Sequence, residues 1–185
     1  MNKKIMKSRL VLLDADIIIE ANQIGVWLAL TEIVEIAVPS IIAHSEALFY
    51  SSEKRGIPHE IDLPRLIQEN KISELTATVT EISVLNRKFD SVFAEVLHPG
   101  ETEALALIHS GKASGYKFCS GDKVAIQGLA MIGHSSSGIS MENLLKSVGL
   151  TKHISHQFTE SYFKKWIGKG KERRITGDGL NQGGV

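Results

Sequence analysis

The hydrophobic positions of the chain fall into short runs separated by longer stretches with helical spacing. Residues 10–13 form a brief apolar run closed by Asp14, which predicts a buried strand. Residues 34–38, closed by Pro39, predict a second strand, and residues 116–120 a later one that ends at Gly121-Asp122. Residues 71–76 read equally as a strand or as loop. Helical spacing covers 17–30, weakened at Gly25, and 41–51, with Ser40 as N-cap and Ile42, Leu48 and Phe49 as apolar positions. A turn-rich connector over 56–64 leads into a short helix at 63–70. A long helix is predicted over 79–97, where Ile82, Leu85, Phe89, Val92, Phe93 and Val96 recur at the right interval. His98-Pro99-Gly100 stops it, and an alanine- and leucine-rich helix follows over 101–111. Beyond Asp122 the pattern predicts a short helix at 123–128, a strand at 129–133, a small-residue loop at 135–140 and a helix at 141–148. Strands alternating with helices predict an α/β fold with a parallel sheet.

After Gly149 the pattern changes, so the chain divides into a domain of residues 1–150 and a C-terminal segment of residues 151–185. Phe158, Tyr162, Phe163 and Trp166 predict one more amphipathic helix. Residues 164–174 then carry Lys164, Lys165, Lys169, Lys171, Arg173 and Arg174 against the single acid Glu172. This run reads either as a grip on RNA phosphates or as a solvated basic tail. Residues 176–185 are glycine-rich and read as a loose end or a purification remnant.

Composition narrows the classes. A chain of 185 residues with 43% hydrophobic and 23% charged positions suits one globular domain. Lys plus Arg equals Asp plus Glu at 21 each, so a polyanion would need a local basic patch rather than a general field. The single cysteine, Cys119, excludes an internal disulfide and fits a reducing cytoplasm. The basic start at Met1-Asn2-Lys3-Lys4 precedes too short an apolar run for a secretory signal, and no apolar stretch approaches the ~20 residues of a membrane span. A soluble, cytoplasmic protein is expected.

The candidate chemistry lies in the acids. Asp14 and Asp16 follow the first strand, Asp122 follows a later one, Glu46 lies in an otherwise largely apolar helix start, and Glu101 and Glu103 open the alanine-rich helix. Each has an ordinary structural explanation as a cap, a turn residue or a partner of a helix dipole. Together they sit at junctures that can face one crevice beyond the carboxyl ends of parallel strands. Clustered carboxylates repel and raise one another's pKa values, a cost that a divalent cation removes. Oxygen-only donors select Mg²⁺ or Mn²⁺ over zinc, and such ions support phosphoryl chemistry.

The order of these pieces resembles the PIN family of metal-dependent ribonucleases. Val11-Leu12-Leu13-Asp14 is similar to that family's opening strand and first acid, Ser45-Glu46-Ala47-Leu48 to its second motif, Pro99-Gly100-Glu101-Thr102-Glu103-Ala104 to the Gly-Glu-x-Glu-Ala helix start of one branch, and Ser120-Gly121-Asp122 to its last motif. The resemblance covers roughly residues 8–150. It implies a three-layer α/β/α sandwich with a mainly parallel sheet, and endonucleolytic cleavage of RNA with Mg²⁺ or Mn²⁺. It further implies that Asp14, Glu46, Glu101 and Asp122 form the catalytic, metal-holding set, with Glu103 competing with Glu101, and that Asp16 and Ser120 support it from behind. An antitoxin protein and a second copy of the chain are the partners implied besides RNA. The longer helical stretch before Gly100 and the basic C-terminal run depart from the family's short toxins. Two rivals stand beside this reading. Asp14-Ala15-Asp16 and Gly121-Asp122 are shared with haloacid-dehalogenase-type phosphatases, although Ile17-Ile18-Ile19 replaces their glycine-threonine continuation. A catalytically silent module of the same fold, acting by binding alone, is the second.

Overall fold

A computed structural model describes residues 10–51 and 56–181; the basic start at residues 1–4 and residues 182–185 lie outside the described residues. The elements are β1 (Leu10–Leu13), α1 (Ala15–Gln23), α2 (Trp27–Ile33), β2 (Glu35–Pro39), a π-helical turn (Ile42–Glu46), β3 (Phe49–Ser51), β4 (Pro58–Glu60), α3 (Leu63–Gln68), β5 (Ser73–Leu75), α4 (Val79–Asn86), α5 (Ser91–Val96), α6 (Pro99–His109), β6 (Lys117–Cys119), α7 (Lys123–Met131), α8 (Met141–Ser147) and α9 (Glu160–Thr176). Short 3-10 turns occupy Ser135–Ser137 and His156–Phe158.

Four strands pair in the order β5-β2-β1-β6, every pairing parallel. The chain moves outward from β1 through β2 to β5, then crosses back to place β6 on the other side of β1. The order therefore reverses between β1 and β6, and open parallel sheets form their ligand crevice at such a point. Alternate residues feed two cores. Val11, Leu13, Ile36, Val38 and Cys119 face one layer with α1, α2, α3 and α8. Leu12, Ala37 and Phe118 face the other, with α4 to α7 and α9. The fold is thus α/β with helices on both faces of a parallel sheet, as the alternating pattern predicts. Cys119 is fully buried, and burial pushes its thiol pKa up. No described helix is long and apolar enough to cross a membrane.

Several sequence expectations need correction. The helix expected over 17–30 is two, because Gly25 adopts φ 72°, a left-handed turn that ends α1 before α2 begins. The helix expected over 41–51 is a π-helical turn followed by β3, which pairs antiparallel with β4. The long helix expected over 79–97 breaks into α4 and α5, where Asp90 caps a new start by accepting from the Phe93 N–H at 2.7 Å. His98-Pro99-Gly100 begins α6 instead of merely ending its predecessor, Pro99 taking the first-turn place that needs no N–H.

The strand expected at 129–133 does not form. Residues 129–131 continue α7, and Leu129, Ala130 and Met131 are buried as helix residues. Gly128 looked like a stop but serves packing, since a Cβ there would lie 2.9 Å from Leu105 Cδ1. The stop is Gly133, at φ 90°. The outer edge of β6 is met instead by Gly138, which forms a parallel bridge to Phe118.

The basic run is not a tail. It belongs to α9, whose Phe163 and Ile167 are buried in the second core. Gly170 lets α9 approach α7 closely, for a Cβ there would stand 2.7 Å from Ala130 Cβ and 2.5 Å from the Gln127 carbonyl oxygen. The end expected to be loose is fixed as far as Asn181: Leu180 bridges Phe89, and the Asn181 N–H donates to the Lys88 carbonyl at 3.0 Å.

Candidate functional site

The crevice between β1 and β6 is built from backbone first. Asp14 is the first residue past β1, and its N–H donates to the Cys119 carbonyl at the end of β6, at 3.1 Å. Its side chain caps α1, Oδ1 accepting from the Ala15 N–H at 2.8 Å while Oδ2 accepts from the Ser120 hydroxyl at 2.6 Å. Ser120 Oγ in turn accepts the Asp122 N–H at 3.0 Å. The hydroxyl thus ties the two strand-end acids into one rigid unit. Asp122 Oδ1 caps α7, accepting from the Val124 and Ala125 N–H groups at 2.5 and 3.3 Å. Asp16 Oδ2 accepts from the Gly121 N–H at 2.9 Å, while its Oδ1 is buried without a partner among the described residues. Gly121 has room for nothing larger, because a Cβ would lie 2.4 Å from Phe158 and 2.7 Å from Asp16 Oδ2.

Glu46 reaches the same crevice from the π-helical turn, a distortion that often marks functional positions. Its Oε1 accepts the Gly100 N–H at 2.9 Å, and its Oε2 lies so close that a Cβ on Gly100 would stand 2.2 Å away. Glu101 follows in the first turn of α6, its Oε2 accepting the His98 N–H at 3.0 Å and its Oε1 lying 3.8 Å from His98 Nδ1.

These acids share a cleft of about 380 Å³. Asp14, Asp16, Glu46, Glu101 and Asp122 form its acidic side, and His98, Lys123, Gln157 and Tyr162 complete the wall. Burial raises Asp14 to about 6, opposed by its hydrogen bonds to Ser120 and Ala15 and assisted by the charges of Glu46 and Asp122. Burial, then the charge of Asp14, pushes Glu101 up to about 8. Asp16 is raised well above the usual carboxylate range, again by burial first and Asp14 second. Among the described residues, none of the five is ion-paired to a lysine or arginine.

The donor set is one of hard oxygens, as Mg²⁺ or Mn²⁺ requires. Among the described residues no group of three or more Asp, Glu, His or Cys side chains already converges as a metal site. Each acid is instead held by one oxygen on a protein N–H, while Glu46 Oε2, Glu101 Oε1 and Asp122 Oδ2 accept no hydrogen bond among the described residues. The orphaned Asp16 Oδ1 and these unengaged oxygens fit the residues to a hard divalent ion.

The sequence-predicted residues separate accordingly. Asp14, Glu46, Glu101, Asp122, Asp16 and Ser120 are brought together. Glu103 is not. Its carboxylate, 1% exposed, accepts from the Ser40 hydroxyl at 2.7 Å, the Ile41 N–H at 2.8 Å and the Ala77 N–H at 3.1 Å, and so pins α6 to the ends of β2 and β5. The basic residues of α9 also divide. Lys164 pairs with Glu160 and Lys169 with Glu172, and Lys171 is exposed. Arg173 pairs with Asp178 and lies 4.9 Å from the Phe93 ring centroid. The Arg174 guanidinium lies against Gly133, whose added Cβ would meet it at 2.4 Å. Lys165 stands over Trp166.

Sequence reasoning missed His98, Lys123, Gln157 and Tyr162 as cleft residues. Lys123 was legible from its place directly after Asp122. Tyr162 and Gln157 depend on α9 returning across α7, for which the apolar face of Phe158, Phe163 and Trp166 and the small residue Gly170 were local signals that did not say where the helix packs. Comparison of the chain with models of known families, with curated proteins and with solved structures yields no match.

Proposed function

We propose that the chain is a PIN-like endoribonuclease that hydrolyses RNA phosphodiester bonds with Mg²⁺ or Mn²⁺ held by Asp14, Glu46, Glu101 and Asp122. One observation carries this reading. Four carboxylates from four separate segments line a single cleft at the switch point of the sheet, without a lysine or arginine ion-pair partner among the described residues. Burying like charges in this way is costly unless a cation compensates them. The chemistry such an ion supplies is Lewis-acid polarisation of a phosphodiester and acidification of a water near neutral pH.

The chain's own residues have distinct tasks. Ser120 fixes the rotamer of Asp14 and, through the Asp122 N–H, the position of the second strand-end acid. Gly100 holds Glu46 by its N–H. Glu101, whose carboxyl burial chiefly raises to about 8 in the cation-free cleft, is the acid whose ionised form a bound cation would favour most. The phosphatase alternative asks Asp14 to attack phosphorus. Its carboxylate is 4% exposed with both oxygens accepting hydrogen bonds, which suits a fixed ligand better than a nucleophile.

The test is incubation of the protein with a mixture of structured RNAs in Mn²⁺, Mg²⁺ or EDTA, beside Asp14→Asn. Cleavage that needs metal and is lost in the variant supports the reading. Cleavage that persists in EDTA or in Asp14→Asn removes it, and hydrolysis of p-nitrophenyl phosphate with RNA untouched transfers the site to the phosphatase class.

A further inference from the structure

The cleft has a second side. Lys123 immediately follows Asp122 and lines the same cleft, yet it makes no ion pair with any of the carboxylates there. Its Nζ stands 5.9 Å from the ring centroid of Trp166 instead. From α9, Lys165 Nζ stands 5.1 Å from the same ring and is also without an ion pair among the described residues. Two exposed ammonium groups are therefore held near one indole, where cation–π attraction offsets part of their mutual repulsion. Tyr162, which lines the cleft, packs edge-on to Trp166 with centroids 6.0 Å apart and to His156 at 5.5 Å. The result is a row of aromatic rings flanked by unpaired cations, beginning inside the acidic cleft and running outward along α9.

An acidic floor alone repels a polyanion, so a strand reaching these carboxylates needs a compensating wall. Phosphates satisfy ammonium groups, and half-buried rings such as Tyr162 and Trp166 can accept bases on their accessible parts irrespective of sequence. Duplexes present no unstacked bases to such a row, whereas a single strand does.

Resting on the nuclease reading above, we infer that Lys123, Lys165, Tyr162 and Trp166 form the substrate-binding wall, which takes a single RNA strand by stacking a base at Tyr162–Trp166 and gripping its phosphates with the two lysines.

The test uses the full chain in EDTA, so that binding is read without cleavage, and the fluorescence anisotropy of a labelled single-stranded RNA 12-mer over a range of salt. Lys123→Ala and Lys165→Ala are each expected to weaken binding and to lower the slope of log affinity against log salt by about 0.7, the single-strand value per phosphate contact. Tyr162→Leu is expected to weaken binding about tenfold with the slope unchanged, as lost stacking requires. Arg65→Ala removes one charge from α3, where Arg65 pairs with Glu69, and is expected to change neither quantity. Failure of the unaltered chain to bind, or Lys123→Ala and Lys165→Ala behaving as Arg65→Ala does, overturns the inference. Both lysines are exposed, so misfolding does not obscure the result. Cleavage assayed beside binding separates the two readings: strand binding that depends on the lysines, without metal-dependent cleavage by the unaltered chain, leaves the wall and removes the nuclease. Metal-dependent cleavage with binding indifferent to Lys123 and Lys165 does the reverse.

Discussion

Glu101 and Glu103 stand two positions apart on α6 and are both buried, at 4% and 1% exposure, yet their surroundings are opposite. Glu103 faces the ends of β2 and β5, where three donors from Ser40, Ile41 and Ala77 meet its carboxylate. Glu101 faces the crevice between β1 and β6, where its neighbours include Asp14, Glu46 and Asp122 and its one hydrogen-bond donor among the described residues is the His98 N–H. A buried carboxylate surrounded by donors is finished as part of the fold. One surrounded by other carboxylates is left with a demand that the chain does not meet by itself. On the proposed function the difference separates a structural acid from a functional one on the same helix, and substitutions at the two places are expected to break the fold and the chemistry separately.

The largest expected effect is on turnover. Asp122→Asn keeps the cap on α7, since asparagine caps as well as aspartate, but removes a charge from the cleft. RNA cleavage is expected to fall by about a thousandfold or more, roughly 4 kcal/mol in the barrier, with an unchanged urea midpoint. Glu103→Ala is expected to do the opposite. Leaving the buried Ala77 N–H and the part-buried Ser40 hydroxyl and Ile41 N–H without their acceptor costs roughly 3 kcal/mol of stability, read as a lower urea midpoint. Gentler changes follow. Ser120→Ala removes the hydroxyl that fixes Asp14 and is expected to cost about 10- to 100-fold in activity or metal affinity with modest loss of stability. Gly100→Ala drives a methyl into Glu46 and should cost about 1–3 kcal/mol of stability together with displacement of that carboxylate.

A pH dependence completes the set. Glu101 is raised to about 8 in the fold from an ordinary 4.5, so between these values the native chain holds a proton that the unfolded chain has released. Stability from this group is complete below about pH 4.5 and is lost as pH rises through 8. Without metal, the melting temperature should fall over that interval, by roughly 2–4 °C for each kcal/mol lost. Glu101→Gln should flatten the decline and raise the melting temperature at pH 8, and a variant that melts lower at pH 8 than the unaltered chain contradicts the assignment of Glu101 as an uncompensated acid.

Much of this comparison was legible in the sequence, and its limits have physical reasons. The runs before Asp14 and before Asp122 are buried strands whose ends define the crevice, so strand-end acids could be read directly. The second turn of α6 was harder. Periodicity says that Glu101 and Glu103 point in different directions, but only the positions of Ser40 and Ala77 decide which of them is satisfied. The strand expected at 129–133 failed because α7 is covered by α6 on one side and α9 on another, and a helix buried on several sides loses its apolar stripe. Asp90 split the long helix by capping, a local hydrogen bond that outweighs an apolar rhythm continuing across the break. Glu20 is beyond the reach of sequence patterns: its carboxylate accepts from the Ser155 N–H at 3.0 Å across 135 residues of sequence, a distance over which no local pattern carries information.

The central claim, that the crevice acids jointly await a divalent cation, is tested most directly by calorimetric titration of Mn²⁺ into the full chain at pH 8, beside Asp122→Asn. Saturable binding by the unaltered chain that disappears or weakens at least about tenfold in the variant is the result expected of a shared carboxylate site. No binding by the unaltered chain, or equal binding by Asp122→Asn, contradicts it.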